Sequence, residues 1–127
     1  MQLKLKLTVA AAIACVAGMA SAQDTQVVKI GHVAPMSGGQ AHYGKDNENG
    51  VRMAIEELNT QNIVIGGKKI RFEIAAEDDA ADPKQGAAVA QKLCDAKVAG
   101  VVGHLNSGTT IPASKVYNCL LYTSRCV

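Results

Sequence analysis

Three short runs of apolar, β-branched residues, each followed by a stretch with helical spacing, constrain this chain more than any other feature. Val27–Val33 (VVKIGHV) reads as a buried strand. From about Lys45 to Asn59 the apolar residues Val51, Ile55 and Leu58, with Ala54, recur at helical intervals and predict an amphipathic helix. Gly50 either weakens that helix slightly or lets it pack close to a sheet. Ile63–Ile65, Gly66-Gly67 and Lys69–Ala76 read as a hairpin-like approach into a second strand. There Ile70, Phe72 and Ile74 alternate with Lys69, Arg71 and Glu73, as in an edge or half-exposed strand. Asp82 before Pro83 makes a helix start, with the carboxylate as cap and proline at the first helical position. That helix is expected to run to about Lys97, with Val89, Leu93 and the alanines inward. Val98–Gly103 is a third buried strand, and Thr110–Asn118 a third helix with Pro112 in its first turn. The alternation predicts an α/β fold, a parallel sheet with right-handed crossovers and helices on both faces. Ligands of such sheets bind beyond the carboxyl ends of the strands, here the loops 34–44, 77–82 and 104–109.

Residues 1–22 stand apart from this pattern. Lys4 and Lys6, the small-residue apolar run Thr8–Ala20 and then Ala20-Ser21-Ala22 make a secretory signal, with cleavage expected after Ala22 and the mature chain in the periplasm. The apolar run is too short to span a bilayer comfortably, so no membrane insertion is expected after cleavage. A lipoprotein signal at Ala12–Cys15 fits less well because its first position lacks leucine. Without Lys4 and Lys6 the 11 basic residues that remain balance the 11 acidic ones. No basic excess is left to attract nucleic acid. Phe72 and three tyrosines are the only aromatic residues, so the core must be built from Ala, Val, Ile and Leu.

The last nine residues, CLLYTSRCV (Cys119–Val127), do not continue the preceding helix sensibly. CLLYTS is also the translation of TGT CTC TTA TAC ACA TCT, the end of a common sequencing adaptor. The coding sequence is therefore expected to be interrupted near Asn118, leaving residues 119–127 as a non-native tail. The cysteines suggest no framework: Cys15 lies in the signal, Cys94 reads as a small buried hydrophobe, and Cys119 and Cys126 lie in the tail.

Several constellations invite chemistry and most decline it. Gly39–Asp46 (GQAHYGKD) follows a strand like a phosphate-binding loop, but Asp46 stands where a hydroxyl is needed and would repel phosphate. Glu77, Asp78, Asp79 and Asp82 lack the alternating oxygen pattern of a calcium loop and read as a solvated loop with a helix cap. His32, His42 and His104 lack any H-x-x-H or H-E-x-x-H spacing, and Ser107 lacks a G-x-S-x-G setting. Neither a metal nor another cofactor is indicated. The loop His104–Thr110 offers the hydroxyls of Ser107, Thr109 and Thr110 and free N–H groups at a helix start. That arrangement suits an anion such as a carboxylate, or serves as an ordinary N-cap.

The segments VKIGHVAPMSGGQAHYGKDNENGVRMAIEELN, GGKKIRFEIAAEDDAADPKQGAAVAQKL and VAGVVGHLNSGTTIPAS together resemble the N-terminal part of branched-chain (Leu/Ile/Val-type) amino-acid binding proteins of ABC importers. These are type I periplasmic binding proteins. The resemblance covers about Val27–Lys115, with DDAADPKQ and GHLNSGTTIPAS its most specific stretches. It implies a three-layer αβα lobe, here residues 23–118 of a truncated N-terminal lobe, that closes with a second lobe on a small amino acid. It implies that Ser107 binds the ligand carboxylate through hydroxyl and amide, and that Tyr43 in the GGQAHYG loop lines the cleft near the ligand side chain. Ser37 and Gly38 match its MSG segment, and Thr109 is a further candidate on the Ser107 loop. The acidic residue that meets the ligand ammonium, and the second lobe, would follow the matched region. Some relatives carry a disulfide at the positions of Ala81 and Asn106; this chain does not. The implied role is solute capture for a membrane permease, without catalysis. The rival readings are a ligand-sensing receptor or regulator of the same fold and a nucleotide-binding enzyme. Relatives take polar amino acids, amides, urea-like solutes and aromatic acids, so the resemblance leaves the particular solute open.

Overall fold

The computed structural model describes residues 24–122; the expected signal segment and residues 123–127 lie outside them. Strand β1 (Thr25–Ala34) leads through a 3₁₀ turn at Gly38–Gln40 into helix α1 (Ala41–Thr60). The short β2 (Val64–Ile65) turns back into β3 (Lys68–Asp78), followed by α2 (Pro83–Asp95), β4 (Gly100–Gly103), α3 (Ser107–Val116) and the short α4 (Asn118–Tyr122). The sheet order is β2-β3-β1-β4. Both β3 and β4 run parallel to β1, and only β2 is antiparallel to its neighbour.

The chain crosses from β1 to β3 on one side and then back over β1 to β4 on the other. This makes the carboxyl ends of β1 and β4 the place where the strand order reverses, the usual site of ligand crevices in open α/β sheets. The two faces of β1 are covered by different helices. Ile30 faces α1 and shares a groove with Val51, Ala54, Ile55 and Leu58. Val33 faces α2 and packs with Val89, Leu93 and Val98 in the buried core. A Cβ on Gly31 would lie 3.0 Å from Leu93 Cδ1.

Local chemistry explains where the elements begin and end. Gly66 and Gly67, with φ of 60° and 80°, close the tight turn between β2 and β3. The side chain of Asn59 holds the outer edge of β3, donating to Phe72 O at 2.9 Å and accepting from Phe72 N at 2.8 Å. Asp82 caps α2 by accepting from Gln85 N at 2.8 Å, with Pro83 in the first turn. Helix α2 ends at Asp95 rather than Lys97. Lys97 takes a left-handed φ of 52°, and Val98 N–H reaches back to Leu93 O at 3.3 Å, closing the helix and burying Val98.

Further expectations are corrected. Helix α1 starts at Ala41 rather than Lys45, because Gly44 has no Cβ and its turn can lie directly on the Pro35 carbonyl. Gly50, by contrast, meets nothing within 4 Å and gives no close approach. Helix α3 starts at Ser107 rather than Thr110, so Pro112 lies inside it rather than in the first turn. Cys94, expected to be an isolated core residue, forms a disulfide with Cys119, with their Cα atoms 6.3 Å apart. This bond ties α2 to α4, where the sequence showed no cysteine framework. Among the described residues no helix is long and apolar enough to cross a membrane.

Candidate functional site

The loops at the carboxyl ends of β1, β3 and β4 meet, and each pair of them is joined by hydrogen bonds. The β1–α1 and β3–α2 loops join at Asp78, whose Oδ1 accepts from Met36 N at 2.7 Å and from Ala80 N at 2.8 Å. Burial pushes the Asp78 carboxyl up, but bonds from the Ser37 side chain and from the N–H groups of Ala80, Met36 and Ser37 outweigh it and hold the carboxyl below its ordinary value. The β1–α1 and β4–α3 loops join where Asn106 Nδ2 donates to Gln40 Oε1 at 2.7 Å. The β3–α2 and β4–α3 loops join where His104 Nδ1 meets Asp79 Oδ2 at 2.8 Å, with both side chains 0% exposed.

The acidic stretch is therefore not the solvated loop its composition suggests. Asp79 is fully buried. Its Oδ1 accepts from Ala81 N at 3.0 Å while Oδ2 takes His104. Ala80 and Ala81 are left-handed at φ of 47° and 58°, a conformation alanine rarely adopts. The carboxylates of Asp78 and Asp79 hold them there by accepting their N–H groups.

His104 bridges two partners. A carboxylate accepts, so Nδ1 carries a proton, and in the neutral imidazole Nε2 then accepts from Tyr117 O–H at 2.9 Å. Burial first, and the charge of Asp79 second, push the Tyr117 phenol up to about 12. In the unfolded chain the phenol loses its proton near its ordinary value of 10.0, while in the folded protein it keeps it. Stability is thus undiminished below pH 10 and falls as pH rises from there to about 12. A Tyr117 ring-carbon resonance followed by NMR is expected to titrate near pH 12; a midpoint near 10 would mean that the phenol is not held in this network.

The residues singled out from the sequence fall into distinct environments. Ser107 is the first residue of α3 and is exposed, and its hydroxyl has no hydrogen-bond partner among the described residues. Asn106 occupies the N-cap position, but its side chain goes to Gln40 rather than to the helix, so it leaves the N–H groups of Ser107 and Gly108 uncapped. Ser37 and Gly38 are exposed on the neighbouring loop, Gly38 with φ of 73°. Tyr43 lies not in a loop but in the first turn of α1, 56% exposed and with its ring centroid 3.9 Å from that of His42. Thr109 is fully buried and donates to Asn106 O at 2.9 Å. A Cβ on Gly86 would lie 3.0 Å from its Cβ, so Thr109 serves helix packing and offers no surface to a ligand.

The phosphate-loop-like segment is also accounted for. From Ala41 onward it is helical, and Gly44 is buried against Pro35, so its N–H groups do not ring an anion. His32 is buried, with Nδ1 donating to Val102 O at 3.0 Å. A concavity of about 650 Å³, mostly apolar, runs between α1 and the β1/β4 face from Tyr43 to Leu58. It is sheet surface beside the loops. The polar groups that could hold a small charged molecule lie at the loop crest instead.

The model of one family, the periplasmic binding proteins, matches residues 27–119, most of the chain and all three loops. The chain belongs to the periplasmic binding protein family. Within this family it is similar to Leu/Ile/Val-binding protein homolog 1 of Brucella abortus, 46% identical over 90 residues that make up 71% of this chain and 24% of the relative. The structure of a branched-chain amino acid transporter substrate binding protein from Streptococcus pneumoniae in complex with isoleucine superposes with a TM-score of 0.64 and 32% identity, over 73% of this chain and 26% of that one. A solute binding protein of an ABC transporter from Rhodopseudomonas palustris, in complex with 3,4-dihydroxy benzoic acid, gives a TM-score of 0.59 and 32% identity, over 72% and 24%. The chain thus spans about a quarter of the length of these relatives. Their folds agree with the mostly parallel α/β sheet described above.

Asp79, His104, Tyr117, Gln40 and Asn106, which join the loops and the helix behind them, were not singled out as a group from the sequence. Their separations, from 13 residues for His104–Tyr117 to 66 for Gln40–Asn106, carry no periodic signal.

Proposed function

We propose that this chain contributes one face of the amino-acid site of a periplasmic solute-binding protein serving an ABC importer. In this reading residues 1–22 direct export, the mature chain works in the periplasm, and a membrane permease receives the solute. The ligand is a small amino acid whose carboxylate sits at the start of α3, on the Ser107 hydroxyl and the N–H groups of Ser107 and Gly108. Tyr43, Ser37 and Gly38 line the neighbouring wall. Residues 23–118 form this lobe portion, and 119–127 are a non-native tail whose first residue, Cys119, is nevertheless bonded to Cys94. No bond is made or broken, and no cofactor takes part.

One observation carries the reading: an exposed, unpartnered Ser107 hydroxyl stands at an uncapped helix start where three strand-end loops meet. Helix N-termini favour anions, and a carboxylate supplies acceptors for these donors. The isoleucine and dihydroxybenzoate complexes of the two similar proteins are both carboxylate complexes, which supports the class while leaving the side chain open.

The test is an NMR titration of the ¹⁵N-labelled chain with L-leucine. One lobe's contacts are expected to give weak binding, on the order of millimolar. The Ser107 and Gly108 amides should shift, and Ser107→Ala should weaken binding roughly 3–10-fold, the worth of one net hydrogen bond. Shifts that bypass residues 104–110, or none at all, would remove the proposal.

A further inference from the structure

We propose that Asp79, His104 and Tyr117 form a positioning relay that sets the start of α3, and hence the Ser107 donors, relative to the sheet; this rests on the reading of Ser107 as a carboxylate contact. The three residues come from three separate elements. Asp79 follows β3, His104 follows β4, and Tyr117 is the C-cap of α3. One imidazole therefore binds the neighbouring loop with one nitrogen and the far end of the helix with the other, at 2.8 and 2.9 Å.

The segment between β4 and α3 is only His104–Asn106, so the helix start inherits whatever orientation His104 has. Its main chain is held too: Thr110 Oγ1 donates to His104 O at 3.3 Å and to Asn106 O at 2.8 Å. With Tyr117 bound at the other end, α3 cannot slide along its axis or rotate about it without breaking a part-buried hydrogen bond to a buried imidazole. Apolar side chains could fill the same space. They would not define a register, because dispersion contacts change little when a helix moves a fraction of a turn, whereas an orphaned buried donor is costly. The relay is also closed at its outer end, since the second oxygen of Asp79 accepts from Ala81 N at 3.0 Å. The assignment makes these three positioning residues. None of them touches the ligand.

The experiment uses the full chain, as wild type and as Tyr117→Phe, which keeps the ring and removes only the phenolic donor. Long-range ¹H–¹⁵N spectra first report the His104 tautomer in the wild type. The proton is expected on Nδ1; a proton on Nε2 alone would overturn the proposal before any variant is made. Each protein is then titrated with L-leucine and with leucinamide, which lacks the carboxylate, while the Ser107 and Gly108 amides are followed. In Tyr117→Phe the dissociation constant for leucine is expected to rise roughly 3–10-fold, and the discrimination between leucine and leucinamide to shrink. A purely structural role for Tyr117 would scale both ligands together and leave their ratio unchanged, and that outcome sinks the relay while leaving the carboxylate reading intact. If leucine moves neither amide in the wild type, the carboxylate reading itself fails and the relay falls with it.

Discussion

Gly44→Ala will destabilise the protein by about 3 kcal/mol, the upper part of the range for overpacking a filled site. A Cβ at this position would lie 2.0 Å from Pro35 O and 2.6 Å from Pro35 C. Both are backbone atoms, so no side chain can rotate away. Either the first turn of α1 withdraws from the sheet or residues 35–36 move. The second course would strain the bond from Met36 N to Asp78 and disturb the loop carrying Ser37 and Gly38. For a domain of this size such a loss corresponds to a fall in Tm of roughly 10–20 °C. Gly50→Ala in the same helix is the control. Its Cβ would meet nothing within 4 Å, and alanine is the better helix former by up to about 1 kcal/mol. The two substitutions should therefore move Tm in opposite directions in thermal unfolding followed by circular dichroism. A Gly44→Ala protein as stable as the wild type would mean that α1 does not lie on Pro35.

Leu93→Ala is expected to cost about 2–5 kcal/mol, and enough of the fold's stability to leave a large unfolded fraction at room temperature. Leu93 is 1% exposed and lies at the centre of the core with Val33, Val89 and Val98. It touches β1 where Gly31 leaves room for it, so the surrounding backbone cannot collapse into the space that alanine would leave. Leu93→Met, which conserves volume and polarity, should cost less than about 1.5 kcal/mol. Urea denaturation of both variants measures the difference. Equal losses for alanine and methionine would show that shape rather than buried volume governs the position.

Much of this architecture was legible before any coordinates. The alternation of β-branched runs with helical spacing is a local signal, repeated along the chain, and it predicted the parallel sheet with helices on both faces. Asp82-Pro83 marked the start of α2 to the residue, because capping and the missing proline N–H act within one turn. Ser107 was legible as a donor at a helix start for the same reason. The boundaries of α1 and α3 were not, because contacts distant in sequence set them. Gly44 reads as the end of a loop until Pro35 is seen beneath it. Thr109 looks like Ser107 in a string of hydroxyls until α2 is packed over it.

The division follows from the range of the forces. Period, capping, turn glycines and family resemblance are properties of neighbouring residues, and they identified the fold and the three strand-end loops. Which carboxylate is buried and which solvated, which threonine packs and which serine stays free, and that one imidazole joins Asp79 to Tyr117 are set by partners up to 66 residues apart in the chain. Those pairings exist only once the sheet has brought the carboxyl ends of β1, β3 and β4 side by side, excluding water from Asp79 and His104 so that each must find its hydrogen bonds within the protein.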